Sequence, residues 1–311
     1  MQERNVVWGI LFGVSSACLF GLSGVIAQPF LSAKVFSPWQ LTTLRLLVGG
    51  IVLGILRLGI APRKFMALFK NWRSIGQVIL FGIFGLFFAQ TSFFTSEWLS
   101  SAAVATILQS LAPAVLLGIQ VIFHRRRIVW QQFLGVLLAV LGVSLIVMRN
   151  IGTTGVRPLA VIFGLLAAVG VICYTLLPAT LLLTYHATDI LSWGMIFGGL
   201  VSLLLTRQPF RNVNSLNVSA VLIIVLLGTV LAYALYLVSL QYIDHLMATL
   251  TGLFEPVSST LISLIVFRNQ LTVATVVGIL IILVSIILIS LRPTPHDKSK
   301  GCTCMMIETA K

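Results

Sequence analysis

The chain has 311 residues, of which 59% are hydrophobic and 9% charged, and its mean hydropathy is +1.09. So few polar groups cannot cover a soluble globule, and the formal net charge of +13 points to loops at a bilayer face, not to a nucleic-acid partner. Backbone in hydrocarbon must be satisfied within its own segment or a closed barrel, and runs without alternation such as 273–291 exclude barrel strands, leaving an all-α membrane protein with the lipid bilayer as its surroundings.

Ten apolar segments follow in order, each about 18 to 25 residues and long enough to cross a core of about 30 Å. They cover 6–27, 38–56, 75–95, 100–123, 128–148, 158–183, 188–206, 217–240, 245–267 and 271–291. Span 1 is longer than a signal-peptide core, lacks an A-x-A site and precedes nine more spans, so it is expected to be retained. The longest connection, 57–74, leaves no room for a soluble domain. Residues 292–311 form a short polar tail with Pro293 and Pro295, expected to be disordered. Cys18 and Cys173 lie in spans as small core residues, and Cys302 and Cys304 have C-x-C spacing that carries no metal or redox argument.

Alternate loops divide the basic residues unevenly. With the N-terminus cytoplasmic, that side holds 13 Lys and Arg, among them Arg125, Arg126 and Arg127, and the other side 6, with Arg45 inside span 2. Both termini are therefore expected to be cytoplasmic.

The string 101–113 is written again at 244–256. Ala105-Thr106 falls on Ala248-Thr249 and Pro113 on Pro256, both 143 residues later, and the same offset takes Gly85 to Gly228, Ser96 to Ser239, Arg125 to Arg268 and Gly135 to Gly278. Span 1 meets span 6 at an offset of 151, with Gly13 on Gly164 and Ala17 on Ala168. Five spans per copy is an odd number, so the second copy must enter the membrane inverted. The expected organisation is a first five-helix repeat over 1–150, an inverted second repeat over 151–291 and the tail over 292–311.

Ten spans as five plus five, a Pro within spans 4 and 9, the strings 105–113 and 254–257, and an Arg early in span 2 together resemble the EamA-like members of the drug/metabolite transporter superfamily. The resemblance covers about residues 6 to 291. It implies a ten-helix inverted-repeat carrier of amino acids and other small metabolites, with a central cavity lined by helices 1, 3, 4, 6, 8 and 9 and with helices 5 and 10 peripheral. Many members carry a Glu just after helices 4 and 9, where this chain has Arg126 and Asn269.

The residues themselves mark candidates for a binding site. In span 4, Thr106, Gln109, Ser110 and Pro113 are spaced i, i+3, i+4, i+7 and share a face at mid-membrane depth. Pro113 and its mate Pro256 each remove a backbone hydrogen bond and are expected to kink their helices towards a polar space. In span 9, Thr251, Glu255, Ser258 and Ser259 share a face, and Glu255 is the acidic residue placed deepest in a span. An ionised carboxyl there costs on the order of 3 kcal/mol or more, so it faces a cavity, takes up a proton, or pairs, with Arg45 as the available partner. Gln90, Phe94, Tyr233 and Tyr236 in spans 3 and 8, and Ser16, Phe20 and Tyr174 in spans 1 and 6, complete the candidates. Hydroxyl residues also glue membrane helices together and aromatic residues also pack cores, and those roles compete with substrate contact at every one of these positions.

There is no G-x-x-x-x-G-K-[ST] and no H-E-x-x-H, and the histidines lie at segment ends or in the tail, so neither cofactor nor metal is expected. The reading is a secondary active exporter of small organic metabolites such as amino acids, working by alternating access with Glu255 as a proton-coupling group, in a bacterial plasma membrane. The expected partners are the small-molecule substrate and the lipid bilayer, with a homodimer as an open alternative. The alternative is a membrane-embedded enzyme acting on lipid-like substrates. Against it, Asp189 and Asp244 stand alone, with no paired carboxylates at a membrane face.

Overall fold

A computed structural model describes residues 6–33, 35–100, 102–124, 130–148, 157–206, 215–267 and 273–290. Much of the charge used for orientation (Lys34, Arg125, Arg126, Arg127, Arg149, Arg207, Arg211, Arg268 and the tail) lies outside these residues, as does Asn269. Among the described residues every regular element is helical. Six stretches are long and apolar enough to cross a membrane: Val6–Leu31, Pro38–Ile60, Trp72–Leu99, Pro158–Leu183, Ala187–Leu205 and Val221–Ser239. Large apolar side chains remain outside, including Ile55, Leu204 and Leu280, each more than half exposed. Such a surface suits lipid and not water.

The first two spans are α1 (Val6–Ser32) and α2 (Pro38–Ile60). Pro38 opens α2 behind a capping box in which the Gln40 amide N–H donates to Ser37 Oγ at 3.2 Å and the Ser37 N–H to Gln40 Oε1 at 2.8 Å. The connection beyond α2 is shorter than the sequence suggests, because α2 runs past Arg57 and is followed directly by α3 (Pro62–Met66). The third span is α4 (Trp72–Leu80), a wide π stretch Phe81–Phe87 and α5 (Phe88–Leu99). It ends one turn later than the hydropathy places it.

The fourth apolar segment of the sequence is broken into α6 (Ala102–Gln109) and α7 (Ala112–His124), and the fifth forms α8 (Trp130–Met148). Then come α9 (Pro158–Leu176) and α10 (Ala187–Leu205). Next are α11 (Ser215–Val225), a second π stretch Leu226–Leu231, and α12 (Ala232–Ser239). The ninth span is broken into α13 (His245–Thr251), capped by Asp244, and α14 (Phe254–Phe267); α15 (Val273–Ser290) closes the described chain.

Close helix approach rests on small residues, as expected where lipid supplies no hydrophobic drive. A Cβ at Gly50 of α2 would fall 2.9 Å from the backbone of Ile196 in α10, and one at Gly199 of α10 would fall 2.8 Å from Leu47 of α2. The α2–α10 pair is tied by Thr43 to Ser202 (2.7 Å) and Thr206 (3.0 Å) at one end, and by Ser192 Oγ donating to Gly50 O (2.9 Å) in the middle. At the other end Arg57 Nε and Nη2 donate to Asp189 Oδ1 and Oδ2 at 2.6 and 3.1 Å. Asp189 therefore does not stand alone: it sits in the first turn of α10, 1% exposed, facing an arginine that the sequence places in a loop. In α8 and α15, Ser285 Oγ donates to Gly135 O at 2.8 Å.

Candidate functional site

Two polar chambers meet in the middle of the bundle. The first holds about 500 Å³ of space, open solvent included, between α1, the α6–α7 break, α9, α12 and the α13–α14 break; Ser16, Phe20, Thr106, Gln109, Ser110, Pro113, Tyr174, Tyr236, Glu255 and Pro256 line it. The second is lined by Phe20, Ser23, Arg45, Gln90, Phe93, Phe94, Gln109, Tyr174, Tyr233 and Glu255. Phe20, Gln109, Val171, Tyr174 and Glu255 belong to both and form the wall between them.

The polar groups reach this depth because two helices break there. Ser110 and Leu111 leave the helix between α6 and α7, and Gly252 and Leu253 leave it between α13 and α14. Each break lies two to four residues before its proline. Pro113 cannot donate to the carbonyl of Gln109 nor Pro256 to that of Gly252, so each chain turns, and the Glu255 N–H bonds Gly252 O at 3.0 Å instead. The turns aim Gln109 and Glu255 at the same wall.

The aromatic cluster is edge-packed. Tyr174 meets Tyr233 and Tyr236 with ring centroids 5.5 and 5.2 Å apart, and Phe20 meets Tyr233 at 4.8 Å. Thr175 Oγ1 gives its one hydrogen to Val171 O (2.7 Å), so in its 2.7 Å contact with the Tyr236 hydroxyl the tyrosine is the donor. Tyr236 is thus oriented by α9 and keeps an acceptor lone pair.

Of the twelve candidate contact residues, eleven line one or both chambers. Thr251 does not. It is fully buried, its Oγ1 donates to Ala248 O (2.7 Å), and its side chain fills the notch left by Gly13 of α1. Ser258 likewise packs on α1 at Gly21. The turn at Gly252 and Leu253 lies between Thr251 and Glu255, so these two do not share one helical face, whereas Ser258 follows Glu255 on α14 and its Oγ donates to Glu255 O at 2.9 Å.

Arg45 is not in ion-pair contact with Glu255. Its Nε donates to Thr229 Oγ1 and its Nη2 to Gly228 O, both at 2.8 Å, and its guanidinium carbon lies 5.1 Å from the centre of the Phe94 ring. Both acceptors belong to the second π stretch, where Thr229 Oγ1 in turn reaches five residues back to Ile224 O (3.0 Å), a register that the widened turn permits. Arg45 is within electrostatic reach of two carboxylates, Glu255 on α14 and Glu97 on α5. Glu97 is a buried acid that sequence reading missed. The run Ser96-Glu97-Trp98 reads as the end of a span, yet α5 continues through it, with Ser100 Oγ donating to Ser96 O at 2.7 Å, and leaves Glu97 8% exposed. Ser23, a further residue not among the sequence candidates, lines the second chamber.

An all-helical membrane protein with a polar centre between broken helices is the class that this geometry defines. The sequence pattern of the EamA-like transporter family matches it twice, over residues 7–148 and 158–291, and the chain belongs to that family and is a membrane transporter. It is 30% identical over 286 residues to the uncharacterized inner membrane transporter YicL of Salmonella typhimurium, covering 91% of this chain and 95% of that one. It is 24% identical over 261 residues to an uncharacterized transporter of Archaeoglobus fulgidus, covering 83% and 90%. A crystal structure shares the fold at a TM-score of 0.72 and 18% identity, over 91% of this chain and 96% of the other.

Proposed function

We propose that the protein is a secondary active exporter of small organic metabolites such as amino acids, working by alternating access of two inverted five-helix repeats, 1–150 and 151–291, with Glu255 as the proton-coupling group. The observation that carries this reading is the position of Glu255 on the wall shared by both chambers, where a proton and a substrate can compete for one place.

The repeat reading is supported by contacts that come in exchanged pairs. Gly13 packs on Thr251, and their mates by offset, Gly164 and Leu108, pack on each other. Gly228 packs on Ser23, and Gly85 packs on Tyr174, again the mates. The two π stretches occupy matching places in the third and eighth spans, and the two helix breaks matching places in the fourth and ninth. An exact exchange of contacts is what two copies related by a two-fold produce. The twofold match to the family pattern and the name of the Salmonella relative support the duplication and a bacterial plasma membrane, and the basic-residue count supports cytoplasmic termini.

The test compares metabolite export from cells overproducing the protein with export by Glu255→Gln, followed in reconstituted vesicles by Arg45→Gln and the double variant. Coupling predicts that Glu255→Gln folds and exchanges substrate but ignores a pH gradient, whatever occupies position 45. Recovery of the pH response in the double variant would replace the switch with an ion pair.

A further inference from the structure

The second chamber contains hydrogen-bonding capacity that the fold does not use. Arg45 lines the chamber and spends two of its five N–H groups on Thr229 and Gly228. Ser23 Oγ is buried without a hydrogen bond, and both amide atoms of Gln90 are buried beside the Tyr233 hydroxyl without closing one of good geometry. Arg45, Ser23 and Gln90 are 4%, 2% and 6% exposed, so all three are held in place by packing. Buried groups of this kind are ordinarily paired, and a site where several converge unpaired is built for something that arrives.

We propose that this chamber is a carboxylate-binding subsite, in which the free N–H groups of Arg45, the Ser23 hydroxyl and the Gln90 amide receive the carboxylate of a small organic acid whose carbon skeleton lies against Phe93, Phe94 and Tyr233. The inference rests on the transport reading only in taking the chamber as part of the substrate's path. A planar guanidinium fork matches two carboxylate oxygens, and the two ties to the π stretch fix its plane before the ligand enters. The charged neighbours set the limit on ligand charge. Arg45 is faced by Glu97 from α5, Glu255 from α14 and the Tyr233 phenol from α12, with no second cation among the chamber's lining residues. With one guanidinium and two acids around it, a phosphate dianion is repelled more strongly than a single carboxylate. The chamber differs from its neighbour in this respect, since the first chamber offers hydroxyls, Gln109 and Glu255 but no cation.

The experiment uses the full-length protein in lipid nanodiscs at neutral pH, titrated with benzoate and 3-phenylpropionate, with their neutral amides, with phenethylamine and with phenyl phosphate, and followed by thermal midpoint and tryptophan fluorescence. The acids are expected to bind at least tenfold more tightly than their amides, the amine and the phosphate. Ser23→Ala and Gln90→Leu leave the ties of Arg45 intact and are each expected to weaken the acids about three- to tenfold with no change for the amides. Arg45→Gln is expected to abolish the preference for acid over amide. Equal affinity for acid and amide, no response to either acid, tighter binding of the amine or the phosphate, or unchanged acid affinity in folded Ser23→Ala and Gln90→Leu would each overturn the subsite. If the subsite is wrong but transport is right, Glu255-dependent export persists; if acids bind and no export depends on Glu255, the transport reading is the one that falls.

Discussion

Arg57→Ala is expected to destabilise the protein far more than Asp189→Ala, although the two residues form one ion pair. The asymmetry follows from burial. Asp189 is 1% exposed and accepts both of its guanidinium hydrogen bonds from Arg57, whereas the Arg57 side chain is 15% exposed in the last turn of α2. Removing the arginine strands a carboxylate between α2 and α10 that has no water to turn to, a loss of about 3–5 kcal/mol. Removing the aspartate leaves a guanidinium on a long stem, which can swing to the membrane surface and rehydrate, for about 1–2 kcal/mol. The double variant should resemble Asp189→Ala alone, because the stranded charge has gone, so the cycle closes with a coupling as large as the whole Arg57→Ala loss, about 3–5 kcal/mol. Arg57→Lys keeps the charge, loses the fork and should fall between wild type and Arg57→Ala. Thermal and denaturant unfolding in nanodiscs, read by the fraction that remains monodisperse, measures all four. Equal losses from the single variants with an additive double variant would mean that the pair is screened like one on an open surface, and the burial argument would be wrong.

Two further outcomes follow from the helix breaks and the basic loops. Pro113→Ala and Pro256→Ala should each lower transport while leaving the yield of folded protein similar, because each restores a backbone hydrogen bond whose absence holds the break open; lower yield with unchanged transport per molecule assigns the prolines to packing. Single cysteines at Arg126 and Arg268, in a background lacking the four native cysteines, should label from opposite sides of the membrane, and labelling from one side would remove the inverted repeat.

Several features of the fold were legible in residue identities that recur at one offset, independently of hydropathy. Gly85 and Gly228, Ala105-Thr106 and Ala248-Thr249, and Pro113 and Pro256 align at one offset, and each marks a feature that the structure uses: a close approach, or the helix leading into a break. The lining residues were legible for a related reason, since a polar side chain in an apolar span has few alternatives to an interior polar space. Helical spacing failed at Thr251 because it assumes an unbroken helix, and the turn at Gly252 lies between it and Glu255.

The ion chemistry was the least legible part, and the reason is that charge burial is decided by where helices end. Hydropathy stops a span at the first polar cluster, so Glu97 and Arg57 were both assigned to loops. In the folded protein α5 continues to Leu99 and α2 to Ile60, which turns the first into a buried neighbour of Arg45 and the second into the partner of Asp189. No periodicity separates a carboxylate one turn inside a helix end from one just beyond it. In the folded protein the hydroxyls of this polar stretch turn back onto their own helix, Thr95 Oγ1 donating to Thr91 O at 2.6 Å and Ser100 Oγ to Ser96 O at 2.7 Å, so they are satisfied without leaving the span. The charge balance around Arg45 is therefore set from three helices, and Glu255 has to share that cation with Glu97 and with whatever enters the second chamber.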